Sequence, residues 1–372
     1  MSADIDKRLA NLSLRRNGRD RATMTFDSVA SLESLKETYQ ERATGKNTRY
    51  ALGAMQEVGK QYTDKGIEEA GRVQARINDG LAKEGLHCTF KLQGSVPGNI
   101  HIRGASDVDF LVLDPRFIKY DASGPGARQG YYREPYLGSP LVTLQSLRAS
   151  IEQIIINAYP AATVDCSGGK AIQVSGGSLD RDIDVVTASW FDTPEYQSTR
   201  NEDFRGVDIL DKKVPALIRN APFLHLLRLK ERDAETWGGL KKAIRLCKTL
   251  KADAANEGTH IDINSYDIAS ALWNADADSL RAGIIDELSI LSAATRYFLY
   301  LASNLTHARN LQTPNGLRQV FDTEDKLKAI PVLAQELVEL AKSVAQEQAP
   351  LLERNAQFED WMGTLQRTKI PQ

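Results

Sequence analysis

Residues 94–114 read GSVPGNIHIRGASDVDFLVLD. The stretch opens on a glycine–serine pair and closes in an apolar run, with Asp107 and Asp109 at the head of that run. Side chains alternate along a strand, so the two carboxylates share one face with Leu111 and Leu113, while Val108, Phe110 and Val112 take the other. Like charges on one face repel, and they are costly to bury unpaired. Strand ends do carry solvated carboxylates, and DxD alone is a weak signal. The surroundings strengthen it. In LHCTFKLQ just upstream, Leu86, Cys88, Phe90 and Leu92 alternate with His87, Thr89, Lys91 and Gln93, the pattern of a strand with one buried face. Gly94-Ser95 ends that strand. Such a turn lets backbone approach a phosphate, and a serine hydroxyl can donate to it.

A second acidic strand follows in LDRDIDVVTASW, residues 179–190. Asp182 and Asp184 share a face there, and Ile183 and Val185 take the other. With one of these beside Asp107 and Asp109, three hard oxygen donors suit Mg²⁺, phosphate oxygens completing its shell. Such a set can hold two ions roughly 3.5–4 Å apart. Side-chain alternation alone leaves Asp182 and Asp184 as alternatives for the third position.

The rest of the chain sets bounds. Its 372 residues are 42% hydrophobic and 26% charged, an ordinary globular composition, long enough for about two domains of ~150 residues. A formal net charge of -2 gives no general bias toward nucleic acid. No uncharged apolar run approaches the ~18 residues of a membrane span, and the N-terminus has no apolar signal core. Cys88, Cys166 and Cys247 lie far apart without metal-ligand spacing, which fits buried apolar residues in a reducing cytoplasm. The histidines show no ligand spacing either.

Residues 1–27 read as a polar arm. From 28 to 85 the pattern is helical, with Ile67, Ala70, Val73, Ile77 and Leu81 on one face. A loop is expected over 121–140, a helix over 142–158, and short strands over 162–164, 170–174 and 182–186. Beyond Pro215 the chain reads as mostly helical. The expected division is an arm (1–27), a helix plus α/β core (28–215) and a helical domain (216–372). Within the last, GGLKKAIRLCKTLKAD (238–253) is amphipathic: Leu240, Ala243, Ile244, Cys247 and Leu250 form an apolar face, with Lys241, Arg245 and Lys248 on another side. Those cations suit either a solvated face or a basic wall over a triphosphate. In INSYDIASALW (263–273), Ser265 is placed to cap a helix.

Strand, Gly-Ser, a dozen residues, DVD and a distal IDVV resemble the nucleotidyltransferase superfamily related to DNA polymerase β. More narrowly, the chain resembles the CD-NTase family, which holds cyclic GMP–AMP synthase and bacterial DncV-like cyclic-oligonucleotide synthases, relatives of 2′-5′-oligoadenylate synthetase. The resemblance covers about residues 60–330. It implies an α/β fold: a polymerase-β-like nucleotidyltransferase core with a mixed β-sheet, then a C-terminal helical, oligoadenylate-synthetase-like domain, with the active site in the cleft between them. By the same resemblance Gly94 and Ser95 contact the triphosphate and Asp107, Asp109 and Asp184 form the catalytic, metal-binding triad. Asp184 is preferred to Asp182 because two small apolar residues follow it; Thr187 stands where the family often has proline. Lys248 matches the family's helical lysine. The resemblance also implies that Ser265 serves the donor phosphates and that Tyr266 stacks on the donor base. The implied cofactor is Mg²⁺, as two ions, or Mn²⁺.

The implied activity is cyclisation of nucleoside triphosphates (ATP, GTP, UTP or CTP) to a di- or trinucleotide messenger in bacterial anti-phage (CBASS) signalling. The product would act on a separate effector protein, and a regulatory protein partner fits the family. A zinc insertion for a nucleic-acid activator has no counterpart among three scattered cysteines. Rival readings are a nucleotidyltransferase that extends RNA ends, one that modifies a protein or small molecule, and a non-catalytic nucleotide-binding scaffold. Three intact carboxylates argue against the scaffold.

Overall fold

The computed structural model describes residues 4–16, 38–349 and 358–371. The expected helical start at 28–37, and arm residues 17–27, lie outside the described residues. The chain divides into two compact units. One joins Gly59–Asn99 to Ser106–Arg228; the other joins Met1–Val58, Ile100–Ala105 and Leu229–Gln372.

The first unit is built on a mixed sheet of β1 (Thr89–Gln93), β2 (Val108–Tyr120), β3 (Thr163–Asp165), β4 (Ala171–Ser175), β5 (Ile183–Asp192), β6 (Gly206–Asp211) and β7 (Ala216–Asn220). The order is β1-β2-β5-β4-β3, with β6 pairing both β5 and β7. β2 and β5 are parallel and the other pairs antiparallel. A parallel pair needs a long crossover, and the Pro140–Ala158 helix lies within it. Ser139 caps that helix by accepting from the Val142 amide, with Pro140 in its first turn. Buried Arg148 fastens it to the sheet by donating to the Lys170 and Ala171 carbonyls at 2.9 and 2.8 Å.

Alternation along β2 and β5 sorts their side chains as expected. Val108, Phe110, Val112, Ile183 and Val185 pack under Val73, Ile77 and Leu81 of the Lys60–Lys83 helix and Leu144, Leu147 and Ile151 of the Pro140–Ala158 helix. Leu111, Leu113, Val186, Ala188 and Trp190 form a separate cluster on the other face, with Val207 and Ile209. Trp190 packs against Phe223 and under the Arg205 guanidinium, which makes it core. His225 is buried.

Two expectations are corrected. The strand expected over 182–186 runs on to Asp192, and β6 and β7 were not expected. Their charged, short segments, GVDILD and ALIRN, carry too little alternation to stand out. The sheet-bearing unit therefore reaches Arg228 rather than 215, because β7 pairs with β6 across that boundary, Leu210 opposite Leu217.

The second unit is helical. Leu240, Ala243, Ile244, Cys247 and Leu250 are all fully buried in its core, with Ile268, Leu272, Phe298, Leu333 and Leu337. Each such leucine, isoleucine or phenylalanine contributes about 1.5–3 kcal/mol. The described part of the polar arm is a helix, Ile5–Arg16, that belongs to this unit. Its composition hides its anchorage, which is ionic. Arg15 makes a bidentate pair with Asp253 at 2.5 and 3.0 Å, and Asp253 also accepts from the Tyr50 hydroxyl at 2.7 Å. Arg8 pairs with Glu257 at 2.7 Å and Glu336 at 2.8 Å. The Lys46–Met55 helix has no cap of its own; Glu347 accepts from the Asn47 and Thr48 amides at 2.9 and 2.8 Å. Among the described residues no helix is long and apolar enough to cross a membrane.

Removing one partner of a buried pair leaves the other charge uncompensated. Asp253→Ala, which strands Arg15 and Tyr50 together, is expected to lower unfolding stability by about 3–5 kcal/mol in urea titration. A loss under 1 kcal/mol would show the pair to be solvated.

Candidate active site

Strand pairing brings the acidic residues together. In the parallel β2–β5 ladder Asp109 lies directly opposite Asp184, and across β1 Asp109 lies opposite Gln93. Asp107 immediately precedes β2, and the Asp182 carbonyl accepts from the Val108 amide at 3.0 Å. Asp107, Asp109 and Asp184 are all half-buried. The Asp184 carboxyl is pushed up to about 6, first by burial and then by the negative charge of Asp107, with Asp182 adding a smaller push. Asp184, rather than Asp182, is therefore the carboxylate in register with Asp109.

Gly94 follows β1 with a φ of +76°, the left-handed region open to glycine. A methyl group on its Cα would overlap the Asp109 carboxylate, so only glycine brings backbone this close to the acid. Ser95 stands next to it, half-buried, in the 94–99 turn.

These donors fit a hard divalent cation: they are all carboxylate oxygens, and their mutual repulsion is what such a cation relieves. Among the described residues no three His, Cys, Asp or Glu side chains converge as a ready-made metal shell. The carboxylates are aligned by register, so a bound ion would complete its shell with water and phosphate oxygens, as Mg²⁺ usually does.

The remaining expected site residues belong to the helical unit. Lys248 and Arg245 form neither a solvated face nor an open basic wall. Both are buried: Lys248 donates to the Ile100 carbonyl at 2.8 Å and Arg245 to the Met55 carbonyl at 2.8 Å. Lys241 is half-buried and pairs with Asp233. Ser265 is the first helical residue rather than the cap; Asn264 holds that position and accepts from the Asp267 amide at 2.8 Å. Tyr266 is half-buried, its ring beside the Arg318 guanidinium and its hydroxyl bonded to Thr313 and Asn315.

Sequence reading missed two residues near these groups. Gln173 lies opposite Asp184 in the β4–β5 ladder and its side chain hydrogen-bonds that carboxylate, favouring the ionised form. Arg318 sits in TPNGLR, whose Asn-Gly signals a turn but not what the turn holds.

A raised carboxyl has a thermodynamic sign. The folded chain holds a proton on Asp184 up to pH about 6, whereas the unfolded chain releases it near its ordinary value, so metal-free stability falls as pH rises between the two. Asp184→Asn is expected to melt above the wild type at pH 7.5 without metal, the gap staying nearly constant down to pH about 6 and narrowing below it. Mg²⁺ should raise the wild-type midpoint and leave the variant's unchanged. A gap that does not change with pH would contradict the assignment. Gly94→Ala, which pushes a methyl into Asp109, is expected to abolish the Mg²⁺-induced shift in the same melts.

Comparison with known proteins gives the family. Residues 228–342 match the family model described as the cGAS/DncV-like nucleotidyltransferase C-terminal helical domain. The chain is 38% identical over 356 residues to the cyclic dinucleotide synthase CdnE of Yersinia aleksiciae, covering 91% of both proteins. Among solved structures, it is similar to the STING-associated CdnE c-di-GMP synthase of Capnocytophaga granulosa, with 26% identity, a TM-score of 0.68, and 91% and 97% of the two chains covered. The STING-associated c-di-GMP synthase of Flavobacteriaceae sp. shares the fold with a TM-score of 0.70 at 23% identity, over 92% and 99%. An identity of 38% over 91% of both proteins carries one conclusion: the chain belongs to the cGAS/DncV-like nucleotidyltransferases, among the bacterial cyclic dinucleotide synthases.

Proposed function

We propose that this enzyme joins two nucleoside triphosphates into a cyclic dinucleotide, with release of two pyrophosphates, and that its core-unit acidic edge does the chemistry. The register of Asp109 against Asp184, under the field of Asp107, carries this reading. Gly94 gives the backbone close approach that a triphosphate needs, and the Ser95 hydroxyl donates to a phosphate oxygen. Two Mg²⁺ or Mn²⁺ ions held by Asp107, Asp109 and Asp184 would neutralise the triphosphate and acidify the attacking hydroxyl. The 3′- or 2′-hydroxyl of one ribose attacks the α-phosphorus of the other nucleotide in line, and pyrophosphate leaves. Asp184 takes the hydroxyl proton as general base. A second attack within the linear dinucleotide closes the ring.

In the helical unit, Ser265 serves the donor phosphates and Tyr266 stacks on the donor base. Lys248 acts indirectly: its ammonium holds the Ile100 carbonyl, at the start of the segment that leads to Asp107. The named c-di-GMP synthases among its relatives make GTP the first substrate to try. Following the family, the product would signal to a separate effector in bacterial anti-phage defence.

The test is incubation of the full chain with each labelled nucleoside triphosphate, and all four together, in Mg²⁺ or Mn²⁺, followed by phosphatase and mass analysis. A phosphatase-resistant dinucleotide is expected, reduced roughly 100-fold or more by Asp107→Asn or Asp109→Asn. Undiminished product from either variant would sink the proposed site. A long phosphodiester product on added RNA, with no cyclic species, would favour an RNA-extending enzyme instead.

A further inference from the structure

Tyr266 is held far more firmly than a tyrosine that merely fills space. Its hydroxyl is bonded by Thr313 and Asn315, both nearly fully buried. Those two side chains bond each other at 2.9 Å and sit in a tight hairpin. The hairpin is closed by the Val320 amide on the Leu311 carbonyl (2.8 Å), the Thr313 amide on the Arg318 carbonyl (3.0 Å) and a bridge between Gln312 and Gln319, with Gly316 left-handed at its tip. Arg318, at the end of the same turn, lies over the Tyr266 ring with its guanidinium carbon 5.1 Å from the centroid. That guanidinium is itself fixed by Asp267, which is wholly buried and also pairs with Lys326 at 2.9 Å.

Burying the Asp267 carboxylate is costly unless it is paired with well-made geometry, and here it meets both Arg318 and Lys326. Apolar residues would fill the same space more cheaply. The arrangement instead fixes three things about the ring: its tilt, its hydroxyl and which face is taken. We infer that Arg318 is a positioning residue for nucleotide binding, and that the 311–320 hairpin is a clamp presenting Tyr266 to a nucleobase. Because Arg318 occupies one side of the ring, a base stacks on the other. The cation also draws electron density from the tyrosine, which favours an electron-rich purine as the stacking partner. The inference rests on the proposed role of Tyr266 as the base-stacking residue.

The experiment is equilibrium binding of Mg²⁺-loaded, non-hydrolysable GTP and UTP analogues to the full chain, with KM and kcat measured separately. The variants are Arg318→Lys, Tyr266→Ala, Tyr266→Phe and the Arg318→Lys/Tyr266→Ala pair, with thermal melts to confirm folding. Lysine keeps a charge for Asp267 but loses the planar guanidinium. Arg318→Lys is expected to fold normally, weaken GTP analogue binding roughly three- to tenfold, raise KM with little change in kcat, and affect UTP less. Tyr266→Phe should weaken binding by a smaller factor. The double variant should bind no worse than Tyr266→Ala alone, because Arg318 acts through the ring. Wild-type binding by Arg318→Lys, or a loss that adds to that of Tyr266→Ala, would overturn the clamp. Unchanged binding by Tyr266→Ala would overturn the base-stacking role beneath it; the loss of product in the Asp107 and Asp109 variants would be untouched by that result.

Discussion

Everything in the core unit depends on one parallel pairing, β2 against β5, in the register that sets Asp109 opposite Asp184. A slip of one residue would turn the carboxylates to the opposite face and their apolar neighbours with them. Packing prevents it. Val108, Phe110, Val112, Ile183 and Val185 are buried on one side of the ladder, Leu111, Leu113, Val186 and Ala188 on the other. Raising a carboxyl to about 6 corresponds to at most about 3 kcal/mol of electrostatic penalty, less after solvent screening. Each fully buried aliphatic side chain contributes about 1.5–3 kcal/mol. Burial therefore outweighs repulsion, and the charges are held in conflict by the core beneath them.

The helical unit solves a different problem, that of burying many charges. Arg15 with Asp253, Arg8 with Glu257 and Glu336, and Asp267 with Arg318 and Lys326 are paired inside or at the edge of its apolar core. Arg245 and Lys248 are satisfied by backbone carbonyls. Such pairs are weak sources of stability compared with apolar contacts, but each demands a particular geometry. Around Tyr266 that demand becomes orientation of a ring, and along the Ile5–Arg16 helix it becomes attachment of a polar segment.

This difference explains what could be read in the sequence. The acidic strands were legible because alternation converts spacing directly into a shared face, and Leu240, Ala243, Ile244, Cys247 and Leu250 because helical periodicity does the same. The pairing partner of Asp109 was not, since alternation treats Asp182 and Asp184 alike; only the ladder separates them. Lys248 and Arg245 looked like a solvated or basic face because charge says nothing about which carbonyls lie within reach. Asn264 rather than Ser265 caps the helix because the two adjacent residues are both good caps and a one-residue phase decides between them. The polar arm looked loose because its anchors are arginines, whose partners lie more than two hundred residues away.

The segment Ile100–Ala105 belongs to the helical unit although both its flanks belong to the sheet-bearing one. Each unit is thus assembled from separated lengths of chain, and neither corresponds to a continuous gene fragment. A cut at 215 would part β6 from β7, and a fragment beginning at Leu229 would lack the Arg15 that pairs with Asp253 and the carbonyl that satisfies Lys248. A chimaera that transplants the helical unit between synthases has to carry all three segments at once.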